Sequence, residues 1–395
     1  MTKSIPRRIL PASCRYGSAL LFLAASQPQA FSQTTEWIYH KTADGAHPDG
    51  NEQELVWLMN RARANPSAEG TFLRTTGNAD VENGINFFNV DRNLLQTEFN
   101  AIAAKPPAAF DRRLYEASKL HSQYMIANDV QEHTGQIAKV DAAFSRVAVN
   151  VSVFSFADSP VQGHAALNID WGPGGTGGMQ LGRGHRVAIM SNQSTLLTNV
   201  GFAMLPDNDI NTDAGPLVFS GAYCSANTTV ANHYNRFLTG TVWKDTNSNN
   251  RYDAGEGLNN VRIQPDSGTF YAITGVAGGW SIPITTPATY NLTFSGSALG
   301  GNFIRTATVG TTSVLVDTKV SNSVPVPAPM TLTVGRSANG SSLILTWTGG
   351  TPPYQVQRST SLTTNSWANV GASTTATTTT LTPSGPRAYY RVKGS

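Results

Sequence analysis

Apolar residues recur every three or four positions in two stretches of the first half of the chain. Leu55, Leu58, Met59 and Ala62 share one helical face, with Asn51 as the cap, Glu54 three residues on and Asn65-Pro66 as the stop. Leu114, Ala117, His121 and Met125 share another, on a helix starting at Asp111 and ending near Asn128-Asp129. His121 lies on that apolar stripe and reads as a hydrogen-bonded core residue. His133, in Glu132-His133-Thr134-Gly135, falls just beyond the stripe. Ser159-Pro160 is a cap with proline at the first helical position, so a third helix follows it. Residues 171–184 are a Gly-rich loop, and residues 184–190 open a short helix. Residues 199–204 and 217–224 alternate like paired strands.

Beyond these elements the period changes. Residues 237–321 carry short alternating apolar runs in a Gly/Thr/Asn-rich background, and residues 330–395 are Thr/Ser-rich with several alternating runs; both predict strands. Residues 322–329, which hold Val324-Pro325-Val326-Pro327-Ala328-Pro329, predict a semi-rigid spacer. Residues 33–47 predict a flexible lead-in. The expected order is therefore an α+β block over 48–226 and two all-β sandwich modules, 237–321 and 330–395.

Residues 1–32 read as a signal peptide, with Lys3, Arg7, Arg8 and Arg15 before the short apolar run 17–25. That run is too short for a membrane-spanning helix, so a secreted protein without a transmembrane segment is expected. The leader also changes the charge. The chain has 28 Lys and Arg against 25 Asp and Glu; without the four basic residues of the leader the balance is −1. Nothing then favours a nucleic-acid partner. Cys224 is the one cysteine left, in an apolar run that suits a buried, inert thiol.

Residues 245–256 hold the strongest chemical signal. Asp245, Asn247, Asn249, Asp253 and Glu256 stand at positions 1, 3, 5, 9 and 12 of a twelve-residue loop, and Arg251 at position 7 would offer its carbonyl. This is the spacing that wraps calcium. Position 6 is Asn250 where glycine is usual, and asparagine tolerates the positive φ required.

In order, the capped helix ending in Asn-Pro (residues 58–66), the helix with Leu-x-x-Ala-x-x-x-His-Ser (114–122), His-Thr-Gly (133–135), Gly-His-Arg (184–186) and the Val-Gly-Phe strand (200–202) resemble the CAP superfamily, above all bacterial SCP-like extracellular proteins. The resemblance covers roughly residues 50–225 and implies an α-β-α sandwich. It also implies an open cleft with two histidines and two glutamates, whose histidines bind a divalent metal in some members. His133 and His185 match the histidines. Val149 stands in place of the first glutamate, and Asp170 or His164 are the candidates to complete the cleft.

Residues 237–321 resemble the calcium-binding SdrD-type B repeats of bacterial adhesins, on Val-Trp-Lys-Asp (242–245) through Gly-Leu (257–258). Residues 330–395 resemble a fibronectin type III module in pattern. Together these imply a secreted, monomeric, multidomain protein that binds an extracellular ligand or surface component without catalysis, with calcium as its ion. The alternative is a zinc-dependent, peptidase-like hydrolase built on His133 and His185.

Overall fold

The structure, a computed structural model, describes residues 35–320, 330–350, 352–361, 366–383 and 388–394. The leader and the proline-rich spacer lie outside the described residues. The chain enters through a two-residue strand, β1 (Thr35–Glu36), and then builds a helical run: α1 (Gly50–Ala64), α2 (Pro66–Thr75), α3 (Ala79–Phe87) and α4 (Arg92–Asn100). The cap of α1 is Asp49, two residues before the expected Asn51. Its carboxylate accepts from the Glu52 amide at 3.0 Å and the Glu52 carboxylate accepts from the Asp49 amide at 2.9 Å, a reciprocal capping box. Asn65-Pro66 ends α1 and also starts α2, because the Asn65 side chain accepts from the Ala68 amide at 3.1 Å.

The next elements are β2 (Ala109–Phe110), α5 (Arg112–Asn128), α6 (Gln136–Ala143), β3 (Arg146–Ala157), α7 (Pro160–Ala165), α8 (Gly184–Ile189), β4 (Asn199–Pro206) and β5 (Leu217–Ala226). Their strands form one sheet in the order β2-β4-β5-β3, antiparallel except for β2 beside β4. The sheet is covered on both faces. Leu114 and Ala117 of α5 and Val140 of α6 pack on Ala222 and Cys224. Met59 of α1, Ala165 of α7 and Ile189 of α8 pack on Phe202 and Tyr223. The strand alternation read from the sequence is what sends these residues to opposite faces. The Cys224 thiol is buried and burial pushes its pKa up, as an inert core cysteine requires.

Two all-β units follow. The first has a five-stranded sheet and a four-stranded sheet around a core of Leu238, Ile263, Trp280, Ile282, Leu292 and Phe294. Its main strands are β6 (Phe237–Trp243), β7 (Arg262–Pro265), β8 (Phe270–Ile273), β9 (Gly279–Pro283), β10 (Ala288–Ser295) and β11 (Phe303–Val309). The second pairs two three-stranded sheets around Leu345, Trp347, Tyr354 and Val356.

The lead-in expected to be flexible is instead built into the first β unit. Strand β1 pairs in parallel with β8, Thr35 beside Phe270. Trp37, 3% exposed, packs its ring 5.3 Å from Phe270 and 5.4 Å from Tyr234. The sequence did not show this pairing, because the strand partner lies more than two hundred residues downstream and a two-residue strand leaves no periodic trace. His40 fastens the same segment. It is 1% exposed and its Nε2 donates to the Ile273 carbonyl at 2.8 Å.

Burial, helped by Lys41, lowers the His40 pKa from 6.5 to about 4. A ring whose folded pKa lies below its unfolded one contributes stability in full above pH 6.5 and loses it as pH falls toward 4. The loss is on the order of 3 kcal/mol. His40→Gln should therefore flatten the acid side of the stability profile between those limits. Urea midpoints measured across that range would read this, and an unchanged slope would rule it out.

Candidate functional site

Helix α5 ends in a left-handed Asp129 and delivers the 130–135 loop to the sheet edge. There His133 Nδ1 donates to Gln136 Oε1 at 2.7 Å, and Gln136 Nε2 donates to the Ser152 carbonyl at 3.0 Å. On the opposite side, His185 opens α8. Its Nδ1 donates to Asp170 Oδ1 at 2.8 Å and its amide donates to Asp170 Oδ2 at 3.1 Å. Asp170 is 1% exposed and adopts φ 58° at the end of a single π turn, residues 166–170. The two imidazoles lie 5.9 Å apart, centroid to centroid, at 30°. Each has Nδ1 committed, which leaves Nε2 as the lone-pair nitrogen of both rings. His133 and His185, 52 positions apart in sequence, are thus brought together.

The other two residues expected in the cleft take different roles. Asp170 spends both oxygens on His185, so it orients that imidazole and is not a third ligand. His164 is directed into the core, where its Nε2 pairs with Glu69 Oε1 at 2.9 Å and both side chains are buried. Burial lowers the His164 pKa against the pull of Glu69. Burial raises Glu69, but Arg61 and His164 outweigh it and its carboxyl is lowered. Arg61 meets Glu69 through two nitrogens at 2.7–3.0 Å. His121 is the core histidine expected: its Nε2 donates to the Glu132 carbonyl at 2.8 Å, and burial lowers its pKa. Val149 pairs with Cys224 and packs into the α5 side of the sheet, away from the histidines.

Beside His185 opens a cleft of about 610 Å³. Its wall is aromatic, with Phe87, Phe88, Phe154, Phe156 and Trp171, and Phe87 and Phe156 are 78% and 45% exposed. Gly84 of α3 makes room for Trp171, since a Cβ there would sit 2.5 Å from the indole. These rings come from Phe87-Phe88, from Phe154 and Phe156, and from the Gly-rich loop. The clustering of aromatics at residues 87–88 and 154–156 was the available signal.

Residues 245–256 form the second candidate site. Asp245 Oδ1 and Oδ2 accept from the amides of Asn249 and Asn250 at 3.1 Å, which curls the chain. Asn250 takes φ 60°, the conformation expected at position 6. The side-chain amides of Asn247 and Asn249 reach Asp253 Oδ2 at 2.7 and 2.6 Å. The Oδ1 atoms of Asn247 and Asn249 accept from the backbone amides of Asn249 and Arg251 at 3.0 and 2.7 Å, which tightens the loop further. Asp245, Asn247, Asn249 and Asp253 are thus tied together in one loop, with Lys319 Nζ 3.2 Å from Asp245 Oδ2; oxygen donors of this type suit calcium better than zinc.

Glu256 departs from its expected part. One oxygen accepts from Thr246 N and Oγ1 at 2.7 and 2.9 Å and the other from Asp253 N at 3.1 Å, so it fastens the loop. Arg251 turns its side chain to the neighbouring block, its guanidinium 4.6 Å from the Phe72 ring. The loop also packs on α1. Ala254 N donates to Glu54 Oε2 at 3.2 Å, and Tyr252 is fully buried among Trp57, Leu58 and Trp243. A further group, His47, Asp49 and Glu52, places three ligand atoms within 4.8 Å of one another. The α1 capping box and the His47–Glu52 pair at 2.8 Å account for it.

No family model matches the chain, and no curated protein does. Among solved structures, a DUF3823 family protein from Bacteroides ovatus aligns at 17% identity over 40% of this chain and 89% of its own, with a TM-score of 0.16. The FN1–FN3 domains of chicken CNTN1 align at 12% identity over 49% and 81%, with a TM-score of 0.13.

Proposed function

We propose that this chain is an exported CAP/SCP-like protein that binds an extracellular ligand or surface component through the cleft beside His185. An SdrD-like calcium module and a fibronectin type III-like module carry it. The observation behind this reading is the donor set of the cleft. Its lining holds one imidazole, His185, with His133 stacked 5.9 Å behind it, Asp170 spent on orienting His185 and His164 buried against Glu69. A catalytic zinc site draws three protein ligands and keeps one position for water. Two imidazoles beside an aromatic cavity suit ligand capture better.

The hydrolase reading keeps one specific support, the buried carboxylate behind His185, which is how metal-bound histidines are commonly held. In that case His133 and His185 would hold the zinc through Nε2, and the metal would polarise a carbonyl or a water. Metal content of the purified protein separates the two. Wild type, Glu256→Ala and the His133→Ala/His185→Ala double variant are compared by mass spectrometry. Calcium without zinc is expected, with calcium reduced in Glu256→Ala alone. One zinc per chain that disappears with the histidines would overturn ligand capture in favour of hydrolysis.

A further inference from the structure

We propose that the ligand of the aromatic cleft is an organic cation, an ammonium head on a compact apolar body. This rests on the reading of the cleft as a ligand site and names the class of ligand it takes. The rings present faces and edges to one space. Phe88 and Trp171 lie 6.2 Å apart at 17°, and Phe154 meets Trp171 at 6.5 Å and 69°. Phe156 continues from Phe154 at 6.2 Å and 82°. Aromatic faces carry negative potential and attract a desolvated cation.

The charges in the lining have the same sign. Asp80 of α3 and Asp158 beyond β3 line the cleft, and among the described residues no lysine or arginine does. The Asp80 carboxylate makes no hydrogen bond or ion pair among the described residues. An anionic ligand would meet two carboxylates here.

Some of the polar groups in the lining are engaged with the protein itself. Gln162 Oε1 accepts from the Asp158 amide and its Nε2 donates to Asp158 Oδ2 at 3.0 Å. Gln180 Nε2 donates to the Trp171 carbonyl at 3.1 Å. Gln131 Oε1 accepts from the Ser155 amide at 2.8 Å. Gln162 and Gln180 each spend one N–H on the protein, and the unspent donors of the lining are amides without positive charge. What the wall offers is negative charge and ring faces, the complement of a substituted ammonium. The volume of about 610 Å³ suits a small molecule of this kind.

Choline and its neutral isostere 3,3-dimethyl-1-butanol differ in charge and hardly in shape. Calorimetric titration of the full mature chain with each should show choline bound roughly tenfold tighter. Asp80→Asn/Asp158→Asn should erase that preference, and Trp171→Leu should weaken choline binding by a similar factor. The carboxylate variant leaves the aromatic core untouched, so it reads the charge even if Trp171→Leu unfolds. Equal affinity for the two probes would overturn the cation class and leave the cleft a binding site. Failure of choline to bind would also overturn it. Stoichiometric zinc on the histidines, seen by mass spectrometry, would instead overturn the underlying reading.

Discussion

Gly201→Ala is expected to destabilise the N-terminal block by about 3 kcal/mol or more, the upper end for overpacking because the obstacle is backbone. A Cβ on Gly201 would lie 2.1 Å from the carbonyl carbon of Leu114 and from the amide nitrogen of Tyr115, and 2.5 Å from Leu114 Cβ. Helix α5 rests directly on the bare strand at this point. Ser118 Oγ donates to the Gly201 carbonyl at 2.9 Å and Ser122 Oγ to the Ala203 carbonyl at 3.3 Å, so the helix cannot slide away without losing both bonds. Relief would require lifting α5, the helix that presents the 130–135 loop and its His133. The variant should therefore lose stability and disturb the histidine pair together. Gly184→Ala is the control, with nothing within 4 Å of its Cβ, and should stay within about 0.5 kcal/mol of wild type. Urea denaturation followed by far-UV circular dichroism reads both. A Gly201→Ala protein as stable as the control would mean that α5 does not pack on the sheet in this way.

The elements that could be read from the sequence are those whose signals are local. Helices α5, α7 and α8 and strands β4 and β5 begin and end close to where caps and alternation place them, because a cap and a period are settled within a few residues. Helices α2, α3 and α4 escaped because Pro66 was read only as a stop, although Asn65 before it can cap a new helix. The lead-in strand escaped for the opposite reason: its two residues gain order only from β8.

The site divides along the same line. His133 and His185 stand out because their short motifs, His-Thr-Gly and Gly-His-Arg, match the histidines of the family the block resembles. The diversion of His164 depends on Glu69, 95 positions earlier, which no helical face reveals. Its neighbour Asp170 is close enough to the cleft to be a candidate, but only the left-handed turn that aims it at His185 Nδ1 shows that it orients.

Calcium is expected to stabilise the whole contact between the 245–256 loop and α1, and to do so through Asp253. At calcium one hundred times its dissociation constant a single site adds about 2.7 kcal/mol. Asp253→Asn should abolish that increment while the protein without calcium keeps its stability. The Asp253 amide still reaches Glu256 there, and the introduced asparagine keeps a side-chain oxygen to accept from the amides of Asn247 and Asn249. Glu256→Ala should act on both states. It strips the acceptors from Thr246 N and Asp253 N and costs about 1–3 kcal/mol even without calcium.

The effect should reach beyond the loop, because Tyr252 is buried against Trp57 and Leu58, and a Cβ on Gly50 would stand 3.1 Å from Ala254 Cβ. Amide hydrogen exchange should therefore slow on calcium addition along α1 as well as in residues 245–256, and should slow in neither in Asp253→Asn. Protection confined to the loop would separate ion binding from the helix it touches. An unchanged calcium increment in Asp253→Asn would remove this residue from the site altogether.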